Sequence, residues 1–274
     1  MTSISPEVEE KSKPDLWIQE GKDFKKTYVS FFAIGFFVSL VYGLQQFYPN
    51  LIGPISNVIP TIFASGAFLA SFLCARKYGF KLRERNFDRI WFCFSLGTAF
   101  WIFAEFTWAI YYFSGVDVPY PGIPDVFYIA AYFPMSLAIL MYFRAFGSGL
   151  TANRRIAAIG IISMSVSLVL AIVLPIEFSQ TLPSTTVITD LTYPVADLLL
   201  LSLAIFGLAI FAGGTMGRWW TVLAGAIILD IVADELFLYQ VATGTYYNGN
   251  IDDLIYVWAY LLFALSFYLH HEEL

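Results

Sequence analysis

The sequence predicts an all-α polytopic membrane protein of about eight transmembrane helices, built as four related helical hairpins. Three observations carry this. Between Lys26 and Arg76 no side chain is charged, which is room for two spans of about 20 residues each. The chain is 58% hydrophobic and only 13% charged, about half the charged share of a soluble domain. An aspartate–tyrosine pattern also opens three separate apolar segments. The apolar runs are continuous rather than alternating, so a β-barrel is excluded.

The recurring pattern is Asp, Tyr three residues on, then Ala-aromatic at six and seven. It stands at Asp125-Val126-Phe127-Tyr128-Ile129-Ala130-Ala131-Tyr132 and at Asp253-Leu254-Ile255-Tyr256-Val257-Trp258-Ala259-Tyr260. A third copy, Asp190-Leu191-Thr192-Tyr193-Pro194-Val195-Ala196-Asp197, ends in Asp instead. Offsets of three and seven share a helix face. Each copy therefore sets a carboxylate at a helix entrance and a phenol one turn below it. Three such segments imply internal duplication.

In chain order, residues 1–26 are polar and mixed in charge, with no apolar core for a cleaved signal peptide. They are expected to be a disordered tail, or an interfacial helix around Leu16-Trp17-Ile18. Residues 27–274 form one bundle domain. Its spans are expected near 27–47, 55–75, 90–113, 124–145, 154–175, 187–212, 218–242 and 252–270. The breakers between them include Pro49-Asn50, Pro119 to Pro124, Pro183-Ser184, Gly213-Gly214 and Asn248-Gly249-Asn250. Pro54 and Pro60 are expected to interrupt the start of the second span.

Charge orients the bundle. All 15 Lys and Arg fall in the tail or in the loops on one face, so that face is expected to be cytoplasmic, with both termini. The Arg76–Arg89 loop is the densest basic group and is expected to touch anionic lipid. The opposite half holds 11 acids and no base. Cys74 and Cys93 lie towards the basic face and are expected to be reduced packing residues. The only histidines, His270 and His271, end the chain, and no span contains a lysine. Haem and retinal are thereby excluded; a divalent cation is the cofactor left open, and no nucleic-acid partner is expected.

Hairpins three-four and seven-eight match best. Ala104-Glu105-Phe106-Thr107-Trp108 aligns with Ala233-Asp234-Glu235-Leu236-Phe237. Asp125, Asp190 and Asp253 sit at helix N-termini, where the macrodipole favours an anion by about 0.3–1 kcal/mol. A plain helix cap also explains them. Glu105 and Asp234 lie in the outer third, at equivalent positions facing the bundle interior, and Asp197 and Asp230 lie deeper. Capping cannot explain these mid-helix acids. Each costs roughly 2.5–3.5 kcal/mol at the bilayer centre. They require protons, hydrogen bonds from Tyr128, Tyr193, Tyr256 and other phenols, or a bound cation. Trp101 and Trp108 flank Glu105 at i−4 and i+3 and could box an organic cation.

The course from Glu105 through Tyr120-Pro121-Gly122-Ile123-Pro124-Asp125 to Tyr132-Phe133-Pro134, with Tyr193-Pro194-Val195-Ala196-Asp197, resembles an uncharacterised multi-span sensory region. That region precedes diguanylate cyclase, phosphodiesterase or kinase modules in bacteria and archaea. The resemblance covers about residues 90–270 and implies a sensory role. The chain stops at Leu274 without such a module, so a separate cytoplasmic partner would carry the output.

Three functions compete. The first is a sensor or binding protein with an acidic, aromatic, outward-facing pocket for a metal ion or organic amine. The second is a cation- or proton-coupled transporter, which acids at graded depth would suit. The third is an intramembrane enzyme using paired carboxylates, since no Ser-His or Cys-His pair is available.

Overall fold

A computed structural model describes residues 14–79, 86–146, 150–179, 183–211 and 217–273. They form eight long helices: α1 (Pro14–Gly43), α2 (Pro49–Tyr78), α3 (Asn86–Phe113), α4 (Ile123–Phe146), α5 (Ala152–Ser179), α6 (Ser184–Phe211), α7 (Gly217–Thr243) and α8 (Ile251–Glu273). There is no strand among the described residues. Seven helices are long and apolar enough to cross a membrane. The exception, α7, carries Asp230, Asp234 and Glu235 near its middle. The chain is a multi-pass membrane protein.

Two expectations need correction. Residues 14–26 are the first turns of a continuous α1, not a disordered tail or a separate interfacial helix. Residues 1–13 lie outside the described residues, as do Lys81, Arg83 and Arg85 of the basic loop. Pro54 and Pro60 do not delay the second span, because α2 begins at Pro49 and runs through both. Proline removes a backbone donor, but neighbouring side chains re-satisfy the ladder in membrane helices. The carbonyls that Pro54 and Pro60 leave without a backbone donor are those of Asn50 and Ser56, while the Asn57 amide and the Ser56 hydroxyl donate to the Gly53 carbonyl between them, at 2.8 and 3.0 Å.

Packing arranges six helices in a closed ring, in the order α2, α3, α4, α6, α7, α8 and back to α2. Outside it, α1 leans on α8 and α5 leans on α6. Lipid tails are as apolar as leucine, so close van der Waals fit and hydrogen bonds must hold such a ring. The sequence supplies small residues for the fit. Ala64, Ala67, Ser71 and Ala75 form a fully buried stripe along α2. On α6, Gly207 lets the Trp220 ring of α7 lie against the backbone. Side-chain bonds between helices add to this: Ser71 to Thr98 at 2.9 Å, Trp258 Nε1 to Ser39 Oγ at 2.9 Å, and Cys74 Sγ to the Phe267 carbonyl at 3.2 Å. Both cysteines are free thiols.

The ring's two ends differ. Towards the basic end its core is aromatic and close-packed, with Trp91, Trp219, Trp220, Tyr142, Phe94 and Phe267 fully buried. His270, which the sequence places at the chain's end, lies inside this cluster and is 0% exposed, its ring 4.4 Å from Trp91 and 4.9 Å from Trp219. Towards the other end the core opens into a cavity.

Candidate binding site at the acidic end

The cavity is built from two loop-helix junctions. The first is the loop before α4, where the Gly122 N–H donates to Asp125 Oδ2 at 2.7 Å. The second precedes α8, where the Gly249 N–H donates to Asp253 Oδ2 at 2.6 Å. Gly249 has a φ of +96°, a left-handed conformation that favours glycine. Both aspartates thus brace a helix start, as a capping residue does. The second oxygen of each faces inward. Tyr193 donates to Asp125 Oδ1 at 2.9 Å, and Tyr246 to Asp253 Oδ1 at 3.4 Å. Burial, with Asp253 alongside, holds the Tyr246 hydroxyl well above the usual phenol range, so it remains a donor.

One layer below sit the two mid-helix acids of α3 and α7. Glu105 is 8% exposed and accepts from Tyr260 of α8 at 2.6 Å, with Tyr128 of α4 beside it in the cavity wall. Asp234 accepts from Tyr256 of α8 at 2.6 Å and from Tyr132 of α4 at 2.9 Å. Each acid therefore meets one phenol from its own hairpin and one from the other. Residues about 128 positions apart exchange roles throughout. Trp108 and Phe237, one turn further along their helices, pack edge to face with centroids 5.8 Å apart. Tyr120, before α4, donates to Asp190 of α6. At the matching place before α8, Asn248 accepts from Asn57 of α2 at 3.0 Å. The site has a pseudo-two-fold arrangement in which α2, α3 and α4 correspond to α6, α7 and α8.

Glu105, Asp125, Asp234, Asp253, Trp108, Tyr128, Tyr193 and Tyr256 all line the cavity. Its volume is about 70 Å³. One water needs about 10–15 Å³ by the same kind of measure, so the space suits roughly five or six non-hydrogen atoms.

The other expected residues stand apart. Trp101 is buried against Tyr260 and Phe263, at 5.5 and 4.7 Å between centroids, and forms floor rather than wall. Asp190 does not line the cavity but accepts from Tyr120, which does. Asp197 is 1% exposed beneath the cavity, where Tyr132 donates to its Oδ1 at 2.5 Å. Asp230 is buried one turn below Asp234. Sequence reasoning missed Tyr120, Tyr246, Asn248, Ser56 and Phe237 as wall residues. For Phe237 the signal was its alignment with Trp108. For Tyr120 and Asn248 it was their shared place just before a bracing Gly-Asp pair.

The ion pairs resolved among the described residues, Arg218 with Glu273 and His271 with Glu272, lie at the basic end. Every carboxylate around the cavity is partnered instead by neutral donors. No protein-family model, curated protein or solved structure matches this chain.

Proposed function

We propose that this protein is a membrane-embedded sensor or binding protein whose acidic, aromatic pocket takes a small organic cation. The observation that carries this is the wall itself: four carboxylates and seven aromatic side chains around a compact cavity, without a basic residue. Several acids withdrawn from water create a negative potential that concentrates cations. The flanking rings, Trp108 and Tyr246 above all, offer π faces to an ammonium group.

A metal ion fits less well. Divalent ions need converging oxygens. Among the described residues no group of three or more His, Cys, Asp or Glu stands close enough to hold one. The acids are held apart, each by its own tyrosines. That spacing favours an ammonium of about five or six non-hydrogen atoms, such as tetramethylammonium or a short diamine. The close-packed aromatic core below Trp101 and Tyr260 favours binding over transport, because the cavity has a floor.

With the basic end cytoplasmic, the pocket opens to the extracellular side. Occupancy would draw α3, α4, α7 and α8 together, and a cytoplasmic partner would read the change at the basic end. The likeness to a sensory region supports that direction of signalling. Arg76, Lys77 and Arg89, beside the membrane there, would hold anionic lipid.

Thermal unfolding of the purified protein tests the reading against tetramethylammonium, putrescine, Ca²⁺ and Mg²⁺. A ligand at a hundred times its Kd stabilises by about 2.7 kcal/mol. The organic cations should raise the unfolding temperature, and Glu105→Gln with Asp234→Asn should remove the shift while leaving a folded protein. A shift given only by the metals, or one surviving both substitutions, would overturn it.

A further inference from the structure

Helix α5 packs chiefly on α6, with Val169 also meeting Leu238 of α7, and this leaves a wedge between α5, α6 and α7. The resulting groove has a volume of about 970 Å³ and walls of Ile161, Leu168, Leu201, Ile205, Ile231 and Val232. Two charged side chains touch it, Arg154 and Glu235. Arg154 stands at the basic end, where its guanidinium donates to the Ala209 carbonyl at 3.1 Å. Glu235 lies far from it. It is eighteen residues into α7, and Arg154 is two residues into α5, so at 1.5 Å per residue they are separated by about 24 Å along the bundle.

Glu235 differs from the pocket acids. Both of its carboxylate oxygens are shielded, and neither has a hydrogen-bond partner. The matching residue in the other hairpin is Phe106, whose side chain is 55% exposed on the outer surface. In the smaller groove between α2 and α3 an apolar residue, Phe106, takes this position, whereas in the groove beside α5 an acid takes it. A carboxyl group in an apolar trough is accommodated by a counter-charge, a donor or its own proton, and a cationic head supplies the first.

We propose that this groove binds a single-chain lipid-like amine, with its ammonium on Glu235 and its alkyl chain lying along the groove towards Arg154. The charge fixes the polarity of the occupant, because Glu235 repels a carboxylate or phosphate head at that depth. The 24 Å separation, about four-fifths of a bilayer's hydrocarbon thickness, admits a full-length chain. A helix from a second copy could fill the apolar walls but not the acid's need, since every Lys and Arg among the described residues lies at the basic end. This site is separate from the cavity of α3, α4, α7 and α8 and does not depend on its ligand.

Native mass spectrometry of the full chain in detergent tests it, with hexadecylamine, hexadecanol and hexadecanoate as probes. One hexadecylamine should bind, at least tenfold more tightly than either of the others. Glu235→Gln should weaken it at least tenfold, and so should Ile205→Trp, which fills the groove. Glu105→Gln should leave it unchanged. If Glu235→Gln does not fold, Glu235→Phe, which installs the other hairpin's residue, carries the same test. Equal binding of all three probes would mean an unspecific lipid layer and overturn the proposal. Undiminished amine binding in the Glu235 variants would do the same. So would a dimer in the spectra that Ile205→Trp dissociates.

Discussion

Tyr132 has one hydroxyl proton and faces two carboxylates, Asp197 at 2.5 Å and Asp234 at 2.9 Å. It can satisfy only one at a time, and Asp197 Oδ2 has no partner of its own. Tyr260 is its counterpart in the other half, but it bonds to one carboxylate, Glu105, where Tyr132 bonds to two. The two tyrosines should therefore respond differently to truncation. Leaving a buried acceptor unsatisfied costs about 1–3 kcal/mol. Tyr132→Phe should fall in that range and Tyr260→Phe below it, read from thermal unfolding in one detergent. Equal losses would mean that Asp197 has other support. At this scale the sequence was legible within a helix and opaque between helices. Offsets of three and seven put Asp125 and Tyr128, or Asp253 and Tyr256, on one face, because helical geometry alone decides that. Which acid each phenol meets depends on the neighbour. Trp101 shows the limit: its i−4 spacing places it beside Glu105, yet the ring turns down onto Phe263 of α8.

Helices in this bundle are held by close approach, and glycine marks where the approach is closest. A Cβ added at Gly207 of α6 would stand 2.5–3.0 Å from ring atoms of Trp220, which is itself fully buried and stacked on Phe211. Neither side can yield, so Gly207→Ala should destabilise by about 1–3 kcal/mol through overpacking. Gly160 of α5 meets nothing within 4 Å. There Gly160→Ala should stabilise by about 0.5–1 kcal/mol, the difference in helix propensity. Both are read as shifts in unfolding temperature. A neutral Gly207→Ala would mean that α6 and α7 are looser than their ring contacts imply. Element boundaries in the apolar segments were legible to within a few residues, since Gly and Pro punctuate the loops. The differences came from α1, which runs unbroken from Pro14 where a tail or a separate short helix was expected, and from α2, which begins at Pro49 and passes through Pro54 and Pro60.

The whole molecule is two halves of four helices. Its ring closes through α2 on α8 and α4 on α6. Because each half has an even number of helices, equivalent residues such as Glu105 and Asp234 reach the same end of the bundle. Charge follows the same division. Arg76, Lys77, Arg89, Arg144, Arg154, Arg155 and Arg218 all lie at one end, and α8 finishes there, with Lys77 Nζ donating to the His271 carbonyl at 2.6 Å. Basic loops are retained on the cytoplasmic side during insertion. Both termini should therefore be cytoplasmic and the acidic mouth external. Single cysteines at Thr2, Ser114 and Thr245, in a background with Cys74 and Cys93 replaced by alanine, measure this directly. In intact cells a membrane-impermeant thiol reagent should label positions 114 and 245, in the loops before α4 and α8. Position 2 should react only after the membrane is opened. Labelling of position 2 from outside would invert the bundle and turn the carboxylate cavity towards the cytoplasm, where the same cavity could meet only intracellular cations.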